Sequence, residues 1–134
     1  NHANHQVVFE LFLHETKLRP HVTGDQVYFT LDITMYGNVG ELQGDITEDD
    51  TMDPSYTRKL EIGFAEEIKR NILYAEQVFK KEMRVDPIGL FASKLRAYEP
   101  EKWKEVKEQW SEIYPEVPLT ISVNVFIRNI GSHK

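Results

Sequence analysis

The segment from Asp86 to Gly131 constrains the fold more than any other part of this chain, because it sets helix starts and stops at short intervals and closes on an uninterrupted period-2 run. Asp86-Pro87 carries a helix-start signature: an Asp side chain accepts amide hydrogen bonds left open in a first turn, and Pro there has no needed donor to lose. The spacing predicts a short helix through Ile88, Phe91 and Leu95. Gly89, lacking a side chain, is expected to let that helix approach the sheet or another helix closely. Pro100 opens a further helix, with Trp103, Val106, Trp110 and Ile113 spaced three, four and three apart on one face, and Pro115 and Pro118 stop it. In the closing run Leu119, Ile121, Val123, Val125 and Ile127 alternate with Thr120, Ser122, Asn124, Phe126 and Arg128, a strand with one dry face.

Upstream, Val7, Phe9, Leu11 and Leu13 mark a first strand, although Val8 and Phe12 blur its alternation against Glu10 and His14. A second strand places Val27, Phe29, Leu31, Ile33 and Met35 on one face and Tyr28, Thr30, Asp32, Thr34 and Tyr36 on the other. Pro20 and Gly24-Asp25 read as the connection of an antiparallel hairpin between Arg19 and Asp25. Regularity is expected to break at Gly37-Asn38-Val39-Gly40. Asp45 to Asp53 then holds five carboxylates and no basic residue, an exposed acidic loop. Asp53-Pro54 signals a long helix ending near Arg84. Its apolar stripe runs through Leu60, Phe64, Ile68, Ile72, Ala75 and Phe79, with Glu66, Lys69, Arg70 and Lys80 in solvent.

Three strands with one apolar face each call for a layer of helices on that face. The expected fold is α+β, a two-layer sandwich: an antiparallel sheet of three to four strands with one long and two shorter helices packed on one face. The 134 residues suit a single domain. A net charge of −6 argues against a nucleic-acid surface, which needs Lys and Arg in excess. With no cysteine there is neither a disulfide nor a thiolate metal site. No apolar run reaches the ~20 residues that span a bilayer. The start at Asn1-His2-Ala3-Asn4-His5, without an initiator Met, reads as an excised domain of a longer protein.

Motifs for chemistry are weak. Asp49-Asp50 and Glu66-Glu67 are carboxylate pairs, but adjacent carboxylates point apart on a helix or strand, and a bare loop offers no burial to separate their pKa values. Asp45, Thr47, Asp49 and Asp53 lack the glycine and terminal Glu of a calcium hand. His2, His5, His14, His21 and His133 include no pair at the spacing of zinc proteases. Ser55, Ser93, Ser111, Ser122 and Ser132 lack a nucleophile context, and Gly37 and Gly40 begin no phosphate loop. Trp103 and Trp110, seven apart, could form a stacking platform for a small ligand, but Val106 and Ile113 share their stripe, and core packing is the simpler reading. No catalytic, metal or cofactor residue is assigned.

The order Asp86, Ile88-Gly89-Leu90, Pro100-Glu101-Lys102-Trp103, Trp110, Tyr114-Pro115 and Leu119 to Gly131 resembles the C-terminal domain of the Ger(x)C lipoproteins, the C subunits of nutrient germinant receptors in spore-forming bacteria. The resemblance is close over about the last 75 residues. It departs at Ala92, where the family often has a second Gly, at Glu99 between Tyr98 and Pro100, and at Pro118. It implies a non-enzymatic interaction domain contributing to receptor assembly or signalling beside A and B subunits. It also implies a lipid anchor outside this fragment, on the outer face of the spore inner membrane. The acidic loop at Glu48, Asp49 and Asp50 and the polar strand face are the candidate working surfaces. The other reading, a small-molecule germinant-binding module, would place a pocket near Trp103 and Trp110.

Overall fold

The computed structural model describes residues 7–41 and 54–132. Three strands, β1 (Val7–Thr23), β2 (Gln26–Glu41) and β3 (Leu119–Ser132), form one sheet in the order β1-β2-β3. β1 and β2 are a hairpin closed by the two-residue turn Gly24-Asp25. Pro20, expected in the connection, lies inside β1 instead; β1 is an edge strand, where a missing N–H costs the ladder little. β2 also continues through Gly37 to Glu41, with Val39 buried, where a break was expected. Gly37 is there for closeness: a Cβ at that position would sit 2.5 Å from the Glu10 carbonyl oxygen and from the Phe9 ring.

The sheet is mixed rather than antiparallel throughout. The Phe29 N–H donates to the Pro118 carbonyl at 2.9 Å, and the Tyr36 ring stacks on Phe126 with centroids 5.4 Å apart, so β2 and β3 rise together. A parallel neighbour needs a long crossover, and the segment between β2 and β3 supplies it with helices.

α1 (Pro54–Gln77) begins at the expected proline and runs into a π-helical turn, Val78–Met83. It ends at Arg84, whose φ of 54° turns the chain so that the Val85 N–H reaches back to the Phe79 carbonyl at 2.8 Å. Leu60, Phe64, Ile68, Ile72 and Phe79 are partly buried as the stripe requires, whereas Ala75 is exposed. Pro87–Gly89 is a 3-10 turn leading into α2 (Leu90–Tyr98). α3 (Pro100–Val106), a 3-10 turn (Lys107–Gln109) and α4 (Trp110–Ile113) make up the helix expected after Pro100, interrupted once.

These elements divide into two compact units. The first takes β1 up to Glu15, β2 from Ile33, α1 up to Ile68 and β3 from Val123. Phe9 packs on Phe64 with ring centroids 5.3 Å apart, Ile33, Val39 and Val125 are buried, and the Glu61 carboxylate accepts the Ile127 N–H at 2.9 Å, occupying an edge-strand donor. The second takes the remainder of β1, β2, α1 and β3 with α2, α3 and α4. Its core centres on Phe29, which is wholly buried: Phe91 meets it edge-on at 4.9 Å and Trp110 at 6.5 Å. Leu18, Val27, Leu95, Val106, Tyr114 and Val117 surround them.

Candidate functional site

Asp86 is the organising residue of the second unit. Its Oδ1 accepts the Phe91 N–H at 2.9 Å, and its Oδ2 accepts the Ala92 N–H at 2.8 Å and the Trp110 indole N–H at 3.0 Å. The helix start is therefore as the Asp-Pro signature predicts in kind but displaced in position. Pro87 to Gly89 form a 3-10 turn, and the carboxylate serves amides five and six residues ahead. The indole bond has no counterpart in local sequence; it joins residues 24 apart.

The tryptophans serve the core, Trp110 inside it and Trp103 half-buried against it. Trp110 is buried, and Trp103 meets it edge-on with centroids 5.8 Å apart. Tyr114 closes this cluster; burial pushes its phenol up to about 12, with the Asp86 and Glu76 charges acting in the same direction. Among the described residues, one cleft lies beside Lys80 and Lys81 and another is lined by Asp25 and Glu112, and neither is lined by a tryptophan.

Lys80 departs from expectation. The helical pattern places it in solvent, yet it is 6% exposed. Its ammonium pairs with Glu76 at 2.8 Å, donates to the Val117 carbonyl and lies 5.7 Å from the Tyr114 ring centroid. Lys81 donates to the Pro115 carbonyl at 3.3 Å and sits 3.6 Å from the Glu116 carboxylate. Two consecutive lysines thus satisfy the carbonyls of the turn that precedes β3. The Glu76-to-Lys80 spacing hints at a helical pair, but nothing local foretells the carbonyl 37 residues away.

The candidate carboxylate, histidine and serine positions do not converge among the described residues. Glu66 and Glu67 are exposed on α1, His14 is exposed on β1, and Ser93, Ser111 and Ser122 are exposed on separate elements. His21 stacks on Tyr28 with centroids 4.8 Å apart and shares a 2.9 Å hydrogen bond with Thr30 Oγ1. Asp45, Thr47, Glu48, Asp49, Asp50 and Asp53 lie outside the described residues, as do His2, His5 and His133. Among the described residues no group of three His, Cys, Asp or Glu could hold a metal, and no helix is long and apolar enough to cross a membrane.

Part of what the second unit presents outward is apolar. Met83, Val85 and Leu90 are exposed, and Ile88 is 98% exposed. Ile88 was expected on the buried stripe with Phe91 and Leu95; instead its φ is 47° and it points away from them. Gly89 follows at φ 69°, and a Cβ built on it meets nothing within 4 Å. That glycine therefore supplies a left-handed backbone, not a close approach.

Comparison with known proteins fits this picture. The family model described as Spore germination B3/GerAC like, C-terminal, matches residues 1–131. Spore germination protein B3 of Bacillus subtilis (strain 168) is 25% identical over 128 residues, covering 96% of this chain and 33% of that protein. Spore germination protein YndF of the same organism is 27% identical over 124 residues, covering 90% and 29%. The chain thus spans about a third of the length of these curated relatives. The crystal structure of the GerBC protein superposes with a TM-score of 0.80 at 24% identity, over 96% of this chain and 39% of that one, and has the same fold. With nearly the whole sequence matched, and with the Asp86 and tryptophan punctuation acting as the frame of the fold, the chain belongs to the spore germination B3/GerAC-like, C-terminal family.

Proposed function

We propose that this chain is a non-enzymatic interaction domain of the C subunit of a spore nutrient germinant receptor, contributing to assembly of the receptor or to signalling through it in germination. The observation that carries this reading is the family match over residues 1–131. It is supported by how the polar groups of the second unit are used: Asp86, Glu76, Lys80 and Lys81 are committed to backbone amides, carbonyls and one another. The partners in this reading are the receptor's A and B subunits. The setting is the outer face of the spore inner membrane, reached through a lipid anchor carried elsewhere in the full-length protein.

The test is genetic and quantitative. Spores whose C subunit lacks this domain are expected to lose nutrient-triggered germination while still germinating with a non-nutrient trigger, and the A and B subunits are expected to fall in abundance or to separate on detergent extraction. Normal nutrient germination with intact subunit levels would overturn the reading. Incubating the purified chain with nutrients of several chemical classes is expected to leave its Trp fluorescence unchanged, since the indoles of Trp103 and Trp110 serve the core.

A further inference from the structure

The exposed Ile88 is not accounted for by the fold. Asp86 caps α2 and anchors Trp110, Pro87 and Gly89 shape the turn, and Phe91 fills the core, whereas Ile88 is 98% exposed. A β-branched side chain is a poor choice at φ 47°, where Gly or Asn would sit without strain. The fold gains nothing from an isoleucine there.

Its surroundings share a character. Met83, Val85 and Leu90 are exposed beside it in sequence. Leu90, Lys94 and Tyr98 follow at four-residue steps and so line one face of α2. Lys94 Nζ lies 5.9 Å and the Arg19 guanidinium 4.7 Å from the Tyr98 ring centroid, so cations flank the exposed aromatic. From Met83 to Tyr98 the only carboxylate is Asp86, whose oxygens are taken by three N–H donors, while Arg84 and Lys94 are cationic. Between Glu82 and Glu99, in a chain of net charge −6, the exposed apolar side chains are thus accompanied by cations, with Lys94 and Arg19 gathered at Tyr98.

We infer that this face is a docking surface, with Ile88 as a preset knob for an apolar socket rimmed by carboxylates on another subunit of the receptor. The inference rests on the receptor reading above and adds the surface and the chemistry of its partner. The fixed backbone favours a protein over a lipid surface. A fluid bilayer accepts an apolar side chain from any backbone conformation, whereas a socket of fixed shape rewards one held in place, which is what successive positive φ values and the Asp86 bonds achieve. The charge pattern sets the rim: Arg84, Lys94 and Arg19 call for acidic neighbours.

The discriminating variant is Ile88→Asn, because Asn tolerates the left-handed region. If Ile88 served only the fold, its loss would lower stability; relief of strain should instead raise the Tm of the chain by roughly 2–5 °C. In the full-length C subunit co-expressed with the receptor's other subunits, I88N is expected to reduce co-purification at least tenfold at equal abundance, and Arg84→Glu to reduce it as well. Equal co-purification of wild type and I88N would overturn the docking surface and leave the receptor reading intact. Failure of the wild type to co-purify would overturn both. Two further outcomes would overturn the inference by naming a different occupant. One is Ile88-dependent sedimentation of the full-length protein with phosphatidylglycerol–phosphatidylcholine vesicles. The other is Ile88-dependent self-association in analytical ultracentrifugation.

Discussion

Asp86 and Lys80 show how single side chains hold the second unit together. Replacing Asp86 by Ala removes two amide acceptors at the start of α2 and leaves the Trp110 indole N–H without a partner; together these should cost about 2–4 kcal/mol, measurable by urea denaturation. Lys80→Met should cost roughly 2–4 kcal/mol, because Glu76 and the Val117 carbonyl lose their cation in a buried setting. The double variant Lys80→Met, Glu76→Leu is expected to recover part of that loss, since removing both charges leaves no unpaired carboxylate. Tyr114 gives a pH signature. Its phenol is raised from 10.0 to about 12 in the folded chain, so the stability it contributes is fully present below pH 10 and is lost as pH rises from 10 towards 12. Tyr114→Phe should flatten that alkaline decline, followed by circular dichroism across the range. Of these residues, only the helix-capping part of Asp86's role was legible beforehand. Its indole bond and the burial of Lys80 depend on partners far away in sequence.

The elements are legible in sequence where their signal is local and less so where neighbours decide. α1 starts at Pro54 and turns off at Arg84, and β3 alternates as written, because caps and side-chain periodicity are properties of short stretches. β1 and β2 extend beyond their local strand pattern for one reason. Pro and Gly weaken a strand in isolation, yet an edge position excuses Pro20 and close passage of β1 demands Gly37. Gly37→Ala tests the second point: a Cβ 2.5 Å from the Glu10 carbonyl must push β1 aside, costing about 1–3 kcal/mol, and amide exchange should rise selectively in β1 and the end of β2. The direction of β3 was equally hidden. An alternating strand reads the same whether its neighbour runs parallel or antiparallel, and the helical crossover sets the choice.

At the scale of the whole molecule, β1, β2, β3 and α1 each contribute residues to both compact units. We propose that the chain folds as one cooperative domain, because neither unit can melt without unravelling strands that the other uses. Near-ultraviolet and far-ultraviolet circular dichroism should therefore follow one coincident thermal transition; two separate midpoints would contradict this. The sequence by itself determined the α+β class, the succession of elements and the family resemblance, all of which rest on local periodicity, capping chemistry and the order of punctuating residues. Only the tertiary structure decided that Lys80 is buried, that Asp86 holds an indole, that β3 runs parallel to β2 and that Ile88 is turned outward at positive φ. The first three depend on contacts or chain direction set across long separations, and a window of sequence carries no record of what will stand opposite it once the chain is folded.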